Sequence, residues 1–158
     1  MTEAASDLTP APIPAPASGD AVAPWRILCV DDEANILSAL RRLFRQNGYT
    51  ISVAGGGAEG LEILETQEFD LVISDMRMPE MDGARFLEQV FKRYPETVRI
   101  LLTGYADITA TIEAVNKGQI YRYVSKPWND QELLLTVQQA LDLKALRREK
   151  LRLEALTV

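Results

Sequence analysis

The sequence predicts an α/β domain built on a doubly wound, five-stranded parallel sheet, and three observations carry that prediction. From Trp25 onward, short apolar runs alternate strictly with segments whose apolar residues fall at helical spacing. The runs lack the apolar-polar alternation of a half-exposed sheet, as strands covered on both faces do. Three of them end on charged residues, Asp31-Asp32, Asp75 and Lys126, which a parallel sheet would gather at one edge.

The elements follow in order. Ile27 to Val30 reads as the first strand, and Ile36, Leu37, Leu40, Leu43 and Phe44 form a helical face that Asn47-Gly48 stops. Ile51 to Ala54 is the second strand, Gly55 to Gly57 a turn, and Leu61 with Leu64 the inner face of a second helix. Phe69 to Ser74 is the third strand; Phe86, Leu87, Val90 and Phe91 face inward on the third helix before Pro95. Val98 to Leu102 is the fourth strand, followed by a helix with Ile108, Ile112 and Val115 inward and Gly118 at its end. Tyr121 to Ser125 is the fifth strand, with Tyr121 and Tyr123 expected on the same side, and Leu134, Val137 and Leu141 begin the last helix. That helix has no stop signal in 144–156, so an extended C-terminal helix is expected. Leu143, Leu146 and Leu153 fit a heptad seam with Lys150 between them, read either as a frayed helix end or as a linker or short coiled coil. Residues 1–24 hold five of the eight prolines among small and polar residues, a composition that reads as a disordered leader or, less simply, as a polyproline ligand. The division is thus leader 1–24, domain 25–143 and helical extension 144–158.

Composition narrows the function. At 158 residues and 47% hydrophobic, the chain suits one domain with tails. The net charge of −6 argues against direct nucleic-acid binding by this segment. The lone Cys29 sits in an apolar run and reads as a small buried hydrophobe in a reducing compartment. There is no histidine, which removes Ser-His and Cys-His catalysis and any His-ligated metal. No apolar run approaches the roughly 20 residues of a membrane span, and no signal segment begins the chain, so a cytoplasmic protein is expected.

Ligand sites in doubly wound sheets lie at the carboxyl ends of the strands, where strand order reverses. In the order 2-1-3-4-5, Asp31, Asp32 and Asp75 come from neighbouring strands and converge. Like charges that close call for a hard, oxygen-seeking cation such as Mg²⁺. Acids at strand ends can instead cap the following helices, but three on adjacent strands with a lysine opposite favour the cation. Lys126 would offer its charge to a phosphoryl oxygen; Thr103 and Gly104 close the fourth strand at the same edge, and Asp82 is placed to cap the third helix.

The segments ILCVDDE (27–33), LVISDMRMPEMDG (71–83), ILLTGYAD (100–107) and YRYVSKPW (121–128) resemble the receiver domain of two-component response regulators, over about residues 26–143. The resemblance implies a flavodoxin-like fold and a phosphorelay role. It implies Asp75 as phosphoacceptor, and Mg²⁺ held by Asp31, Asp32, Asp75 and the backbone carbonyl of Arg77. Thr103 and Lys126 would contact the phosphoryl group, and Thr103 with Tyr123 would form the switch. A sensor histidine kinase or phosphotransfer protein is the implied donor. A C-terminal output domain is the implied receiver of the signal, with a homodimer through the fourth helix, fifth strand and fifth helix, or through the C-terminal helix, as an option. Self-phosphorylation without turnover of an external substrate is expected. An ionised aspartate needs no general base, which suits a chain without histidine. Arg77 and Tyr105 are expected to flank the entrance for hydrolytic water and to slow loss of the phosphate.

Two other readings stand beside this one. A nucleotide- or flavin-binding doubly wound domain would need a Gly-rich turn after the first strand, where this chain has Asp31-Asp32-Glu33. An aspartyl phosphatase would show Asp-x-Asp there, and the two acids are adjacent instead.

Overall fold

The computed structural model describes residues 24–104 and 108–156, the side chains of residues 108–110 and 114 excepted. Five strands alternate with five helices: β1 (Arg26–Val30), α1 (Ala34–Gln46), β2 (Thr50–Ala54), α2 (Gly57–Thr66), β3 (Leu71–Asp75), α3 (Gly83–Arg93), β4 (Val98–Thr103), α4 (Ile108–Gly118), β5 (Arg122–Ser125) and α5 (Asp130–Leu156). The sheet is parallel throughout and its order is β2-β1-β3-β4-β5, as the sequence predicts. The Pro-rich segment expected as a leader lies, apart from Pro24, outside the described residues.

Helices cover both faces, so two apolar clusters form. Leu28, Val30, Val72 and Leu101 point toward α2, α3 and α4, where Phe86, Leu87 and Val90 meet them. Ile27, Cys29, Leu71, Ile73, Ile100 and Leu102 point the other way, against Leu40 and Phe44 of α1 and Leu133, Val137, Ala140 and Leu141 of α5. Successive residues of a strand alternate faces, and since each face is covered, the central residues of β1, β3 and β4 are apolar on both sides. That is the physical content of the missing polar alternation. Burial also pushes the Cys29 thiol pKa far up, consistent with an inert side chain.

Several local expectations shift. Phe69 precedes β3 and packs into the α2/α3 cluster, while Asp75 is itself the last strand residue. Gly57 is the first residue of α2 rather than part of a turn; a Cβ there would sit 2.7 Å from Met81 Sδ. Ile112, expected inward on α4, is 59% exposed, and its neighbour Thr111 is buried in its place. Tyr121 precedes β5 and packs on the α1/α5 cluster together with Val124, whereas Tyr123 is 52% exposed, so the two tyrosines do not share a side.

Two buried cations were not foreseen. Arg99 on β4 donates to the carbonyls of Pro95, Thr97, Gly118 and Gln119 and lies over the Phe91 ring, tying the end of α4 to the sheet. Lys144 on α5 donates to the carbonyls of Asp70 and Glu96 and pairs with the Asp70 carboxylate at 3.7 Å. Arg148, one turn on, also reaches Asp70 and lies over Trp25. The first turn of the C-terminal extension is therefore fastened to the sheet, with Leu146 on its outer side; beyond it Leu151, Leu153 and Leu156 are exposed.

Candidate functional site

The reversal of strand order between β1 and β3 opens a crevice at their carboxyl ends, and the chain places its acids there. β1 and β3 are paired in register, Val30 opposite Ser74, so the residues that follow, Asp31 and Asp75, emerge side by side. Asp31, Asp32 and Asp75 bring one carboxylate oxygen each to within 4.8 Å of one another. Asp31 is fully buried and Asp75 7% exposed, while Asp32 faces outward.

Capping does not account for these acids. α1 begins after Glu33 with no side-chain cap, and the Asp31 carboxylate instead accepts the Glu33 N–H at 2.9 Å. Asp82, by contrast, caps α3 by accepting the Arg85 N–H at 2.8 Å, as expected. The turn between β3 and α3 is held tight by Gly83, whose N–H donates to the Met76 carbonyl and whose missing Cβ leaves room for the Asp75 carbonyl.

Lys126 enters from the end of β5, after a strand that pairs Thr103 with Ser125 and before a cis bond to Pro127. Its ammonium lies 2.8 Å from Asp75 Oδ1 and 3.2 Å from Asp31 Oδ2. Burial pushes the carboxyls of Asp31 and Asp75 above the ordinary carboxylate range, and the nearby Lys126 pulls them partly back. Burial alone would lower the Lys126 ammonium, but the two carboxylates outweigh it and hold it above its ordinary value. Three carboxylates against one ammonium leave negative charge uncompensated in a partly desolvated cleft. An all-oxygen donor set with excess negative charge fits a hard divalent cation.

Thr103 closes β4, 4% exposed; its hydroxyl lies 3.0 Å from that of Thr111 on α4 and 3.3 Å from the Gly104 carbonyl. Arg77 is exposed two residues past Asp75. Tyr105 lies outside the described residues. The structure thus brings together Asp31, Asp32, Asp75 and Lys126, and places Thr103 at the same sheet edge and Tyr123 on the exposed side of β5. Sequence reasoning missed Thr111, because a threonine among apolar residues gives no signal until its partner on another element is known.

Comparison with known proteins agrees with this geometry. Residues 27–138 match the response regulator receiver domain family. The chain is 37% identical over 128 residues to the hydrogenase transcriptional regulatory protein HoxA of Cupriavidus necator, covering 81% of this chain and 26% of that protein. It is 38% identical over 124 residues to the regulatory protein AtoC of Escherichia coli, covering 78% and 27%. The chain therefore spans about a quarter of the length of these curated relatives. Among solved structures, the signal receiver domain of an HD domain-containing protein from Pseudomonas fluorescens superimposes with a TM-score of 0.75 at 44% identity, covering 77% of this chain and 98% of that one.

Proposed function

The chain belongs to the response regulator receiver domain family, and from that premise we propose that Asp75 accepts a phosphoryl group from a sensor histidine kinase or phosphotransfer protein. The observation that carries this reading is the meeting of Asp31, Asp32 and Asp75 with Lys126 at 2.8 Å from the proposed acceptor. The family match does not favour a nucleotide or flavin site, and the acid cluster stands where such a site would need glycines.

Asp31, Asp32 and Asp75, with the Arg77 carbonyl, would hold Mg²⁺. The bound ion would supply positive charge against the equatorial oxygens of the transferring group. A carboxylate oxygen of Asp75 attacks phosphorus as the bond to the donor's imidazole nitrogen breaks, its electron pair leaving with that nitrogen. Lys126 turns from its carboxylate partners toward the phosphoryl oxygens, where its charge stabilises the developing anion. The reaction modifies the protein itself and turns over no external substrate.

The phosphoryl group then claims the Thr103 hydroxyl, and the end of β4 is drawn inward. Tyr123, exposed on β5, fills the space vacated, so the α4–β5–α5 face changes shape. The output is a domain in a longer protein, a reading supported by relatives about four times the length of the match. Exposed Leu146 and Leu153 on α5, with Leu143 at its margin, support self-association through the extension as one route to that output. No described helix is long and apolar enough to cross a membrane.

The test is intact-mass analysis after incubation with Mg²⁺ and acetyl phosphate, with sizing of the same sample. One phosphoryl adduct is expected on the wild type and none on Asp75→Asn. An adduct that persists in Asp75→Asn removes the acceptor assignment.

A further inference from the structure

Helix α4 turns a hydroxyl inward and an isoleucine outward, the reverse of what burial alone would choose. Thr111 is 3% exposed while Ile112 beside it is 59% exposed. A buried hydroxyl is costly unless it is hydrogen-bonded, and the Thr111 hydroxyl is bonded to Thr103, at 3.0 Å. Resting on the acceptor reading above, we infer that Thr111 is a positioning residue of the switch, holding the Thr103 side chain toward α4 until a phosphoryl group competes for it.

Proton count sets the direction of the Thr103 bonds, and geometry sets Thr111 against the phosphoryl group. Among the described residues, the Thr103 hydroxyl bonds to the Gly104 carbonyl and to Thr111 rather than to the Asp75 carboxylate. A threonine hydroxyl has one proton to donate. A carbonyl can only accept, so that proton goes to Gly104 and Thr111 is the donor to Thr103. Giving the proton to a phosphoryl oxygen breaks the Gly104 bond, and moving toward Asp75 stretches the Thr111 bond. Thr111 sits in the first turn of α4, so its partner's choice is felt by the helix on the proposed output face. The side chain that keeps Thr103 in its resting position thereby sets how easily the domain enters the phosphorylated arrangement.

Removing the Thr111 hydroxyl should ease that step. A neutral buried hydrogen bond is worth a few-fold to about tenfold in an equilibrium, so about a fivefold gain is expected. The probe is beryllofluoride, a phosphoryl mimic that forms no covalent bond, titrated with Mg²⁺ onto the full chain. Thr111→Val, which keeps the volume and the β-branch, should bind it about fivefold more tightly than wild type. Thr111→Ala should shift affinity in the same direction, and Thr111→Ser should return it to the wild-type value. A side chain with a merely structural role would lower the unfolding midpoint in Thr111→Val and Thr111→Ala without tightening binding. Unchanged or weaker affinity in both variants, against a wild type that binds, overturns the role of Thr111 and leaves the acceptor reading standing. A wild type that does not bind at all overturns both.

Discussion

Gly83 is the residue on which the β3–α3 turn closes over the acceptor, and Gly83→Ala tests that closure. By helix propensity alone the change should help, since Ala is favoured over Gly by up to about 1 kcal/mol within a helix. The tertiary contact says otherwise. A Cβ at Gly83 would lie 2.0 Å from the Asp75 carbonyl oxygen, 2.9 Å from its carbon and 3.0 Å from Met76 Cα. All three atoms are backbone, so no side chain can swing aside, and the turn must retreat by roughly 1 Å to restore van der Waals contact. Overpacking of this kind costs about 1–3 kcal/mol. The retreat also strains the Gly83 N–H to Met76 carbonyl bond of 2.8 Å, worth about 1 kcal/mol. A loss of about 2–4 kcal/mol is a large share of a total that is typically about 5–15 kcal/mol. Urea unfolding should show a midpoint lower by about 1–2 M for a slope near 2 kcal/mol/M. Because the displaced atoms belong to the acceptor's own backbone, the acetyl phosphate reaction should slow by up to about a hundredfold in conditions where the variant is folded. Gly56→Ser is the control: a Cβ there meets nothing within 4 Å and serine suits the N-cap position that Gly56 occupies, so its stability should stay within about 0.5 kcal/mol of wild type. A Gly83→Ala protein as stable and as readily phosphorylated as wild type would refute the argument.

Three further outcomes follow from the same structure. Asp75 has its folded-state pKa raised, chiefly by burial; the folded protein therefore holds that proton more tightly than the unfolded chain, and the stability it lends at low pH is lost as pH rises through the folded value. Metal-free Asp75→Asn should melt above metal-free wild type at neutral pH, with the gap closing as pH falls toward the ordinary carboxylate range; a gap that widens on acidification would contradict the sign. Lys144→Met keeps the apolar stem but strips donors from the Asp70 and Glu96 carbonyls, so denaturant unfolding should register a loss of about 1–3 kcal/mol. Arg77→Ala should shorten the lifetime of the acyl phosphate by opening the water entrance, measured as decay of the intact-mass adduct after the phosphodonor is removed, and an unchanged lifetime would discard that role.

The parts of the fold that could be read from sequence are those fixed by one-dimensional signals. Buried strands such as β3 carry an apolar run on both faces, Leu71 to Ile73, turn residues such as Asn47-Gly48 stop a helix locally, and Asp82 sits the right distance before Arg85 to cap α3. The site was legible because its residues end strands, and strand order brings strand ends together without reference to packing. What could not be read depends on partners far away in the chain. The inward line of α4 passes through Thr111 because Thr103 offers it a hydrogen bond, and apolarity alone nominated Ile112. Arg99 and Lys144 are buried because carbonyls at the ends of other elements receive their protons, a pairing that spacing does not encode. Tyr121 left the alternation of β5 because the strand begins one residue later, at Arg122.

The central claim is that Asp75, and neither Asp31 nor Asp32, carries the phosphoryl group. Its most direct test is borohydride reduction of the phosphorylated protein, which converts an aspartyl phosphate to homoserine, followed by peptide mapping. The account predicts homoserine at position 75 and intact aspartates at 31 and 32. Homoserine at either of those positions, or at none of the three in a sample that carries the adduct, would contradict it.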